Sequence, residues 1–292
     1  MTRKKPIKQS QHKVPQVYLK QFGYMFNQQN KVSVLKIGEN FTRRKSIESF
    51  LAKTNIFDIK SEFSEIERLF EQLNCDIENE YPDIISDLEN ERTLSEKSYA
   101  VLLELIPNFI ARSDRWRSMI YSLLKSDVKT NFLKIICAHR ADSFEDLETK
   151  GFYRIMADNS ANEIINRALL LFTEYLLKRI RYFEIVILQS QKGKSWFTSD
   201  NPVVLENRTA KFEIMTKDSE IYFPINSQFL AYLHFKDADD KENELRSLET
   251  NVVNRVSDQK KWDLQLLIMR NAHNYVIIPG EFEYRIGENP KG

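Results

Sequence analysis

The chain has 292 residues, a formal net charge of +1 and the apolar and charged fractions of an ordinary globular protein. This near-neutral balance excludes a global electrostatic attraction to nucleic acid or membranes, so a polyanion would need a local basic patch. Only seven glycines are present, which argues against glycine-rich phosphate loops and long flexible linkers.

Residues 1–11 are basic and polar, and we expect them to form a flexible tail. Neither a signal-peptide pattern nor an apolar run long enough to cross a bilayer is present, so we expect a cytoplasmic protein without membrane contact. Cys75 and Cys137 lack C-x-x-C spacing, which favours reduced thiols. The four histidines lack zinc-site spacing, and we expect neither a metal nor a cofactor.

The N-terminal elements are short. Residues 15–26 predict a helix that begins at Pro15, since proline suits the first helical position. Residues 31–37 alternate apolar and polar side chains, as a half-buried strand does, and this strand could join a C-terminal sheet. Residues 40–60 predict an irregular connector with possible helical turns.

A helical pattern begins at Glu62, with an apolar face opposite acidic residues that we expect to be solvated. Capping boxes at residues 93–96 and 160–163 predict the starts of two apolar helices, the first passing Pro107 and the second running to Ile180. A further helix is predicted over residues 114–126.

After residue 181 the pattern changes to strands. They are predicted at residues 182–189, 194–198, 203–205, 211–215, 221–225, 229–235, 264–269 and 275–278, with a charged helix at about 240–261. This segregation favours an α+β fold with a mainly antiparallel sheet. We predict one domain over residues 12–292, with a helical subregion at about 62–180 and a strand-rich subregion at about 181–280.

Four short motifs stand out in order along the chain. They are His12-x-x-Pro15-x-x-Tyr18-Leu19-x-x-Phe22, the segment Phe109–Arg117, the segment Trp196–Val203 with its Ser-Asp-Asn-Pro turn, and Tyr222-Phe223-Pro224-Ile225. With this order and spacing the chain resembles a mainly bacterial family known only as domain of unknown function 4238. The resemblance covers about residues 12–270 and implies no reaction, substrate or cofactor.

Two of these motifs carry charged candidates for a site. His12 has an unperturbed pKa near neutrality and is a candidate general acid or base, with hydrogen-bond capping of the first turn as the alternative. Arg112 follows an apolar helix and is a candidate clamp for a phosphate or carboxylate. The alternative is that Arg112 pairs with a buried acid.

The remaining candidates come from the turn motif and the N-terminal segment. Asp200 is a candidate catalytic base or a residue that orients a histidine, and the alternative is a structural turn with Asn201 before Pro202. We expect Tyr18 and Asn201 to contact the substrate together with Arg112.

The first functional hypothesis is that His12, Arg112 and Asp200 converge on one pocket. That set suits metal-independent cleavage of a phosphodiester, for example in RNA or another phosphate-bearing ligand, with host defence as a setting by analogy. The second hypothesis is a non-enzymatic protein that binds a ligand or partner and uses these motifs structurally. No Walker, GxSxG, HExxH or Rossmann motif is present, and the sequence does not indicate an oligomeric state.

Overall fold

The computed structural model describes residues 8–59, 61, 64–207, 214–236 and 243–284, which form the expected α+β fold with mainly antiparallel sheets. The strands are β1 (Ser10–His12), β2 (Tyr24–Phe26), β3 (Gln29–Lys36), β4 (Thr42–Ser46), β5 (Ala52–Thr54), β6 (Phe183–Gln189), β7 (Thr198–Ser199), β8 (Val204–Asn207), β9 (Ser219–Pro224), β10 (Phe229–Phe235), β11 (Val253–Arg255) and β12 (Tyr275–Ile278). The helices are α1 (Gln16–Leu19), α2 (Ser64–Glu67), α3 (Leu69–Glu78), α4 (Tyr81–Ser86), α5 (Glu96–Arg112), α6 (Asp114–Lys125), α7 (Lys129–Cys137), α8 (Phe144–Thr149), α9 (Gly151–Asp158), α10 (Ala161–Ile180) and α11 (Asp258–Arg270).

Two larger sheets organise the strands. The first has the order β11-β6-β10-β9-β8, in which only the β11–β6 pair is parallel. The second has the order β2-β3-β12-β7, with β4 on the other edge of β3. The pairing of β3 with β12 confirms that the N-terminal strand joins a strand from the C-terminal part.

The first sheet is buried on both faces. Ile185, Ile187 and Leu233 belong to the large core shared with the helices, where α10 packs against α5, α6 and α7. Side chains of alternating positions, such as Val186 and Leu188, belong to a second core that includes α11. This two-sided burial explains the continuous apolar run of β6.

Helix α11, which covers the second face of the first sheet, was predicted incorrectly. Residues 264–269 were expected to be a strand, but they lie within α11. Ser257 caps this helix by accepting a hydrogen bond from the backbone N–H of Lys260 at 3.2 Å, and Leu264 and Ile268, one turn apart, are buried. Five of the six residues at 264–269 are apolar, Gln265 being the exception, and a mainly apolar segment of this length can be a buried strand or part of a helix, so periodicity alone does not distinguish the two.

The charged helix predicted at about 240–261 is also wrong, because residues 253–255 form β11 and α11 begins only at Asp258. Residues 240–242 lie outside the described residues, as do residues 211–213 of the predicted strand 211–215. Of the strand predicted at residues 194–198, only Thr198 lies in a strand, β7.

Three N-terminal predictions need correction. Residues 10 and 11, assigned to the flexible tail, belong to β1, and Gln11 is fully buried; residues 1–7 lie outside the described residues. The first helix ends at Leu19, and residues 24–26 form β2. The connector at residues 40–60 contains β4 and β5.

The two predicted capping boxes have different outcomes. At the start of α10, Glu163 accepts a hydrogen bond from the Ser160 backbone N–H at 3.1 Å, which confirms that box. The cap of α5 is Ser95, which accepts from the Ser98 backbone N–H at 3.2 Å, and not Thr93. The Thr93 hydroxyl instead donates to the Asn251 carbonyl at 2.5 Å. No helix in the described part of the chain has both the length and the apolarity needed to cross a membrane.

Tyr18 is the centre of the contact between the N-terminal segment and the first sheet. It is fully buried, and its hydroxyl lies 2.5 Å from the Thr198 hydroxyl, which is also fully buried. Its ring contacts the rings of Phe22, Tyr81, Phe109 and Phe223. The N-terminal motif, the α5 motif and the β9 motif therefore meet in the core.

We expect Tyr18→Phe to lower the free energy of unfolding by about 1–2 kcal/mol, because Thr198 loses its buried hydrogen-bond partner while the ring packing remains. Urea denaturation measures this loss. The Tyr18→Phe/Thr198→Val double variant should lose less than the sum of the two single variants. An unchanged stability of Tyr18→Phe would contradict the hydrogen bond.

Candidate functional site

His12 is the last residue of β1 and is positioned by the pairing of β1 with β5, where it lies opposite Ala52. The ring Nε2 lies 3.0 Å from the backbone carbonyl oxygen of Glu48. Nε2 also lies 3.3 Å from the side-chain nitrogen of Gln16. Because a carbonyl oxygen only accepts, the Glu48 contact favours the tautomer that carries its proton on Nε2. Burial lowers the pKa of His12, more than the Glu48 carbonyl raises it, and nearby Arg112 lowers the pKa further.

Arg112 ends α5, and its side chain is almost completely buried. One terminal nitrogen donates to the Glu78 carboxylate, and the other donates to the backbone carbonyl of His12. The guanidinium also lies over the Phe57 ring, 5.5 Å from its centroid. Arg112 pairs with an acid, as in the alternative interpretation, but Glu78 is partly exposed and not buried. The Glu78 pair ties α5 to α3, and the bond to the His12 carbonyl ties α5 to the N-terminal segment.

A cavity of about 310 Å³ opens beside these two residues. Its lining consists of Ser10, His12, Gln16, Glu48, Glu71, Glu78 and Arg112. The structure therefore brings together two of the three residues that were expected to converge. Asp200 is not part of this lining.

The two glutamates of α3 in this lining were not predicted as site residues. Glu71 and Glu78 belong to the acidic run that was expected to be solvated, yet both reach the cavity. Their seven-residue spacing places them on one helix face, and the need of Arg112 for an acidic partner is the second signal that could have identified them.

Glu71 is electrostatically the more unusual of the two. Its Oε2 is buried and has no hydrogen-bond partner among the described residues. Burial raises the pKa of Glu71, and the carboxylate of Glu78 raises it further, while Arg112 lowers it. The cavity thus combines an imidazole that tends to lose its proton with a carboxyl that tends to keep one.

The Ser-Asp-Asn-Pro turn lies at the end of β7. Asp200 is 4% exposed, and its two carboxylate oxygens accept hydrogen bonds from the backbone N–H groups of His273 at 2.9 Å and Asn274 at 2.8 Å. Burial raises the pKa of Asp200, and these backbone bonds lower it. The carboxylate anchors the loop between α11 and β12.

Tyr18 and Asn201, the two expected substrate contacts, are both buried. Asn201 is buried, and its amide donates to the Asn271 carbonyl at 3.1 Å. The amide of Asn271 donates in return to the Asn201 carbonyl at 3.0 Å. Tyr18 is fully enclosed by aromatic rings, so neither side chain offers a surface to a substrate.

The thiols do not show the features of a nucleophile. Both cysteines are free, and burial raises the pKa of Cys137 to about 11. Burial and the carboxylates of Glu71 and Glu78 also raise the pKa of Cys75. Over the residues described, no group of three or more His, Cys, Asp or Glu side chains is placed to hold a metal ion.

A comparison with protein families matches residues 10–279 to the protein of unknown function DUF4238. The chain belongs to the DUF4238 family. Comparisons with curated proteins and with solved structures each find no significant match. The DUF4238 match includes the strand of His12, both cavity glutamates, Arg112 and Asp200, so the whole candidate site lies within the family region.

We expect Asp200→Ala to lower the free energy of unfolding by about 2 kcal/mol, because two backbone N–H groups lose a charged acceptor. Asp200→Asn keeps one acceptor oxygen and should lose less. Thermal unfolding measures both, with Asp127→Ala, an exposed carboxylate, as the control expected to change stability by at most about 0.5 kcal/mol. Equal stability of Asp200→Ala and wild type would contradict the anchoring role.

Glu71→Gln should stabilise the protein at high pH. Because the pKa of Glu71 is higher in the folded state than in the unfolded chain, the folded state binds more protons between those two values, and stability falls as the pH rises through that window. Glutamine does not ionise, so the Glu71→Gln variant avoids this pH-dependent loss of stability. The melting temperature of Glu71→Gln should exceed that of wild type at pH 8, and the difference should shrink towards pH 4. A difference independent of pH would contradict the raised pKa.

Proposed function

We propose that the protein is a metal-independent phosphodiesterase that cleaves RNA, with the cavity beside His12 as its catalytic site. The observation that carries this proposal is that an imidazole, a carboxyl with one buried oxygen lacking a hydrogen bond, and a guanidinium line one cavity. Acid–base cleavage of RNA needs a base for the 2′-hydroxyl, an acid for the leaving oxygen and positive charge near the phosphate.

In the proposed reaction, Nδ1 of His12 removes the proton of the 2′-hydroxyl group. The 2′-oxygen attacks phosphorus, and the bond from phosphorus to the 5′-oxygen breaks. The protonated carboxyl of Glu71 gives its proton to the leaving 5′-oxygen, so the products are a 2′,3′-cyclic phosphate and a free 5′-hydroxyl. The contact of Nε2 with the Glu48 carbonyl supports the tautomer that this step requires.

Arg112 has a different role from the clamp expected from sequence. Both terminal nitrogens are already bonded, to Glu78 and to the His12 carbonyl, so the side chain positions the segment that carries His12. Its positive charge also offsets part of the negative charge of the glutamates when a phosphate approaches. Asp200 lies outside this cavity, and its role is to anchor the loop between α11 and β12.

Host defence is the biological setting that we infer for such a nuclease, by analogy.

A second candidate function is a non-enzymatic protein that binds a ligand or partner. It is favoured by the bonding of the motif residues, since Arg112, Asp200 and Asn201 are all buried and bonded within the protein. In this case the same cavity would hold a ligand without changing it.

An RNA-cleavage assay with EDTA present distinguishes the two functions, because only the nuclease cleaves RNA under these conditions. We expect wild type to cleave a fluorescent RNA oligonucleotide, and His12→Gln and Glu71→Gln each to reduce the rate at least about 100-fold, because each removes a proton-transfer group. The matched control is His139→Gln, since His139 lies outside the cavity and contacts Glu174 at 3.1 Å. The control should retain the wild-type rate.

Thermal unfolding of each variant separates loss of activity from loss of fold. Absence of cleavage by wild type, or full activity in both folded cavity variants, would sink the nuclease proposal and favour the binding function. A 2′,3′-cyclic phosphate product, detected by mass spectrometry, would support the proposed step.

A further inference from the structure

A second cavity, of about 550 Å³, lies at the C-terminal end of β6. It is formed by the loop of residues 190–195, the turn of residues 227–228 between β9 and β10, and Arg255 at the end of β11. It shares no lining residue with the cavity beside His12. Its lining residues belong to none of the four sequence motifs, although the Trp196–Val203 segment begins directly after the loop.

Backbone bonds hold both ends of this loop. The N–H of Ser190 donates to the carbonyl of Gln228 at 3.0 Å, and the N–H of Trp196 donates to the carbonyl of Ser227 at 2.8 Å. Within the loop, Gly193 has a φ of +81°, a conformation that glycine adopts without strain. Trp196 is fully buried and fixes the end of the loop in the core. The cavity wall is therefore formed before any ligand arrives.

The charge of this wall is entirely positive. Lys192, Lys194 and Arg255 contribute cations, and the other lining residues are serine, glutamine and glycine. Lys194 pairs with Asp258, but neither Lys192 nor Arg255 forms an ion pair with a described residue. Two flexible cations and several neutral hydrogen-bonding groups thus converge on one space without a competing carboxylate in its lining.

Lys261 adds further positive charge beside the loop. Its ammonium lies 5.6 Å from the centroid of the Trp196 ring. Burial lowers the pKa of Lys261, and repulsion from Lys194 lowers it further, while Asp258 raises it. An anion bound near Lys194 would relieve this repulsion.

We propose that this cavity binds a small phosphate ester, such as a nucleoside polyphosphate or a sugar phosphate, through Lys192, Lys194 and Arg255. Lysine and arginine next to hydroxyl and amide groups suit phosphate oxygens. The volume matches small-molecule sites. A small ligand is favoured over a polynucleotide because the three cations of this lining converge on one cavity and do not follow an extended groove.

Isothermal titration calorimetry at 150 mM NaCl tests this site with three probes: tripolyphosphate, ATP and a single-stranded oligonucleotide. We expect tripolyphosphate or ATP to bind with a Kd below about 1 mM. Binding of tripolyphosphate as tight as that of ATP would assign recognition to the phosphates alone, and tighter ATP binding would assign a nucleotide.

The Lys192→Ala/Arg255→Ala double variant should weaken binding at least about tenfold, since two charge-assisted contacts are lost. Both side chains are exposed, so its melting temperature should equal that of wild type. The matched control is Lys20→Ala/Arg270→Ala, which removes two exposed cations outside the cavity and should leave the Kd unchanged.

Three results would overturn the proposal: no binding of tripolyphosphate or ATP at 1 mM, an equal loss of affinity in the control variant, or binding of the oligonucleotide alone. The RNA-cleavage assay does not decide this question, because the cleavage variants alter a different cavity.

Discussion

The buried guanidinium of Arg112 is the constraint on which the candidate site depends. A buried charge without partners costs several kcal/mol, so the chain must bring acceptors to it. Glu78 reaches it from α3, the His12 carbonyl reaches it from the N-terminal segment, and the Phe57 ring lies against it. These requirements draw together parts of the chain that are about 100 residues apart. The cavity beside His12 lies where these parts meet.

The most distinctive motifs of the sequence stabilise the packing of these distant parts of the chain. The N-terminal motif contributes Tyr18, whose hydroxyl meets Thr198 from the Trp196–Val203 segment in the core. Two residues later, Asp200 anchors the loop before β12. Aromatic packing and carboxylate–backbone bonds thus explain much of what makes these segments recognisable as a family pattern. The groups proposed to act on a substrate, His12 and Glu71, lie at the edge of this framework.

The two cavities have opposite electrostatic character, and this difference separates their proposed roles. The cavity beside His12 is lined by three glutamates, one arginine and the histidine, so it suits proton transfer more than tight anion binding. The cavity at the end of β6 has cations and no carboxylate in its lining, so it suits anion binding and lacks an acid–base pair. Phosphodiester cleavage is therefore proposed at the cavity beside His12, and binding of a small phosphate ester at the cavity at the end of β6.

The sequence by itself determined the fold class, the family, the cap at Ser160 and strands such as β6 and β10, because alternation and capping are local patterns. Of the three residues that it predicted to converge, His12 and Arg112 line one cavity. Only the tertiary structure decided that residues 264–269 form a helix, that Asp200 lies outside the cavity and that Glu71 reaches it. These outcomes depend on which side chains from distant parts of the chain share a buried space, and neither periodicity nor spacing encodes that.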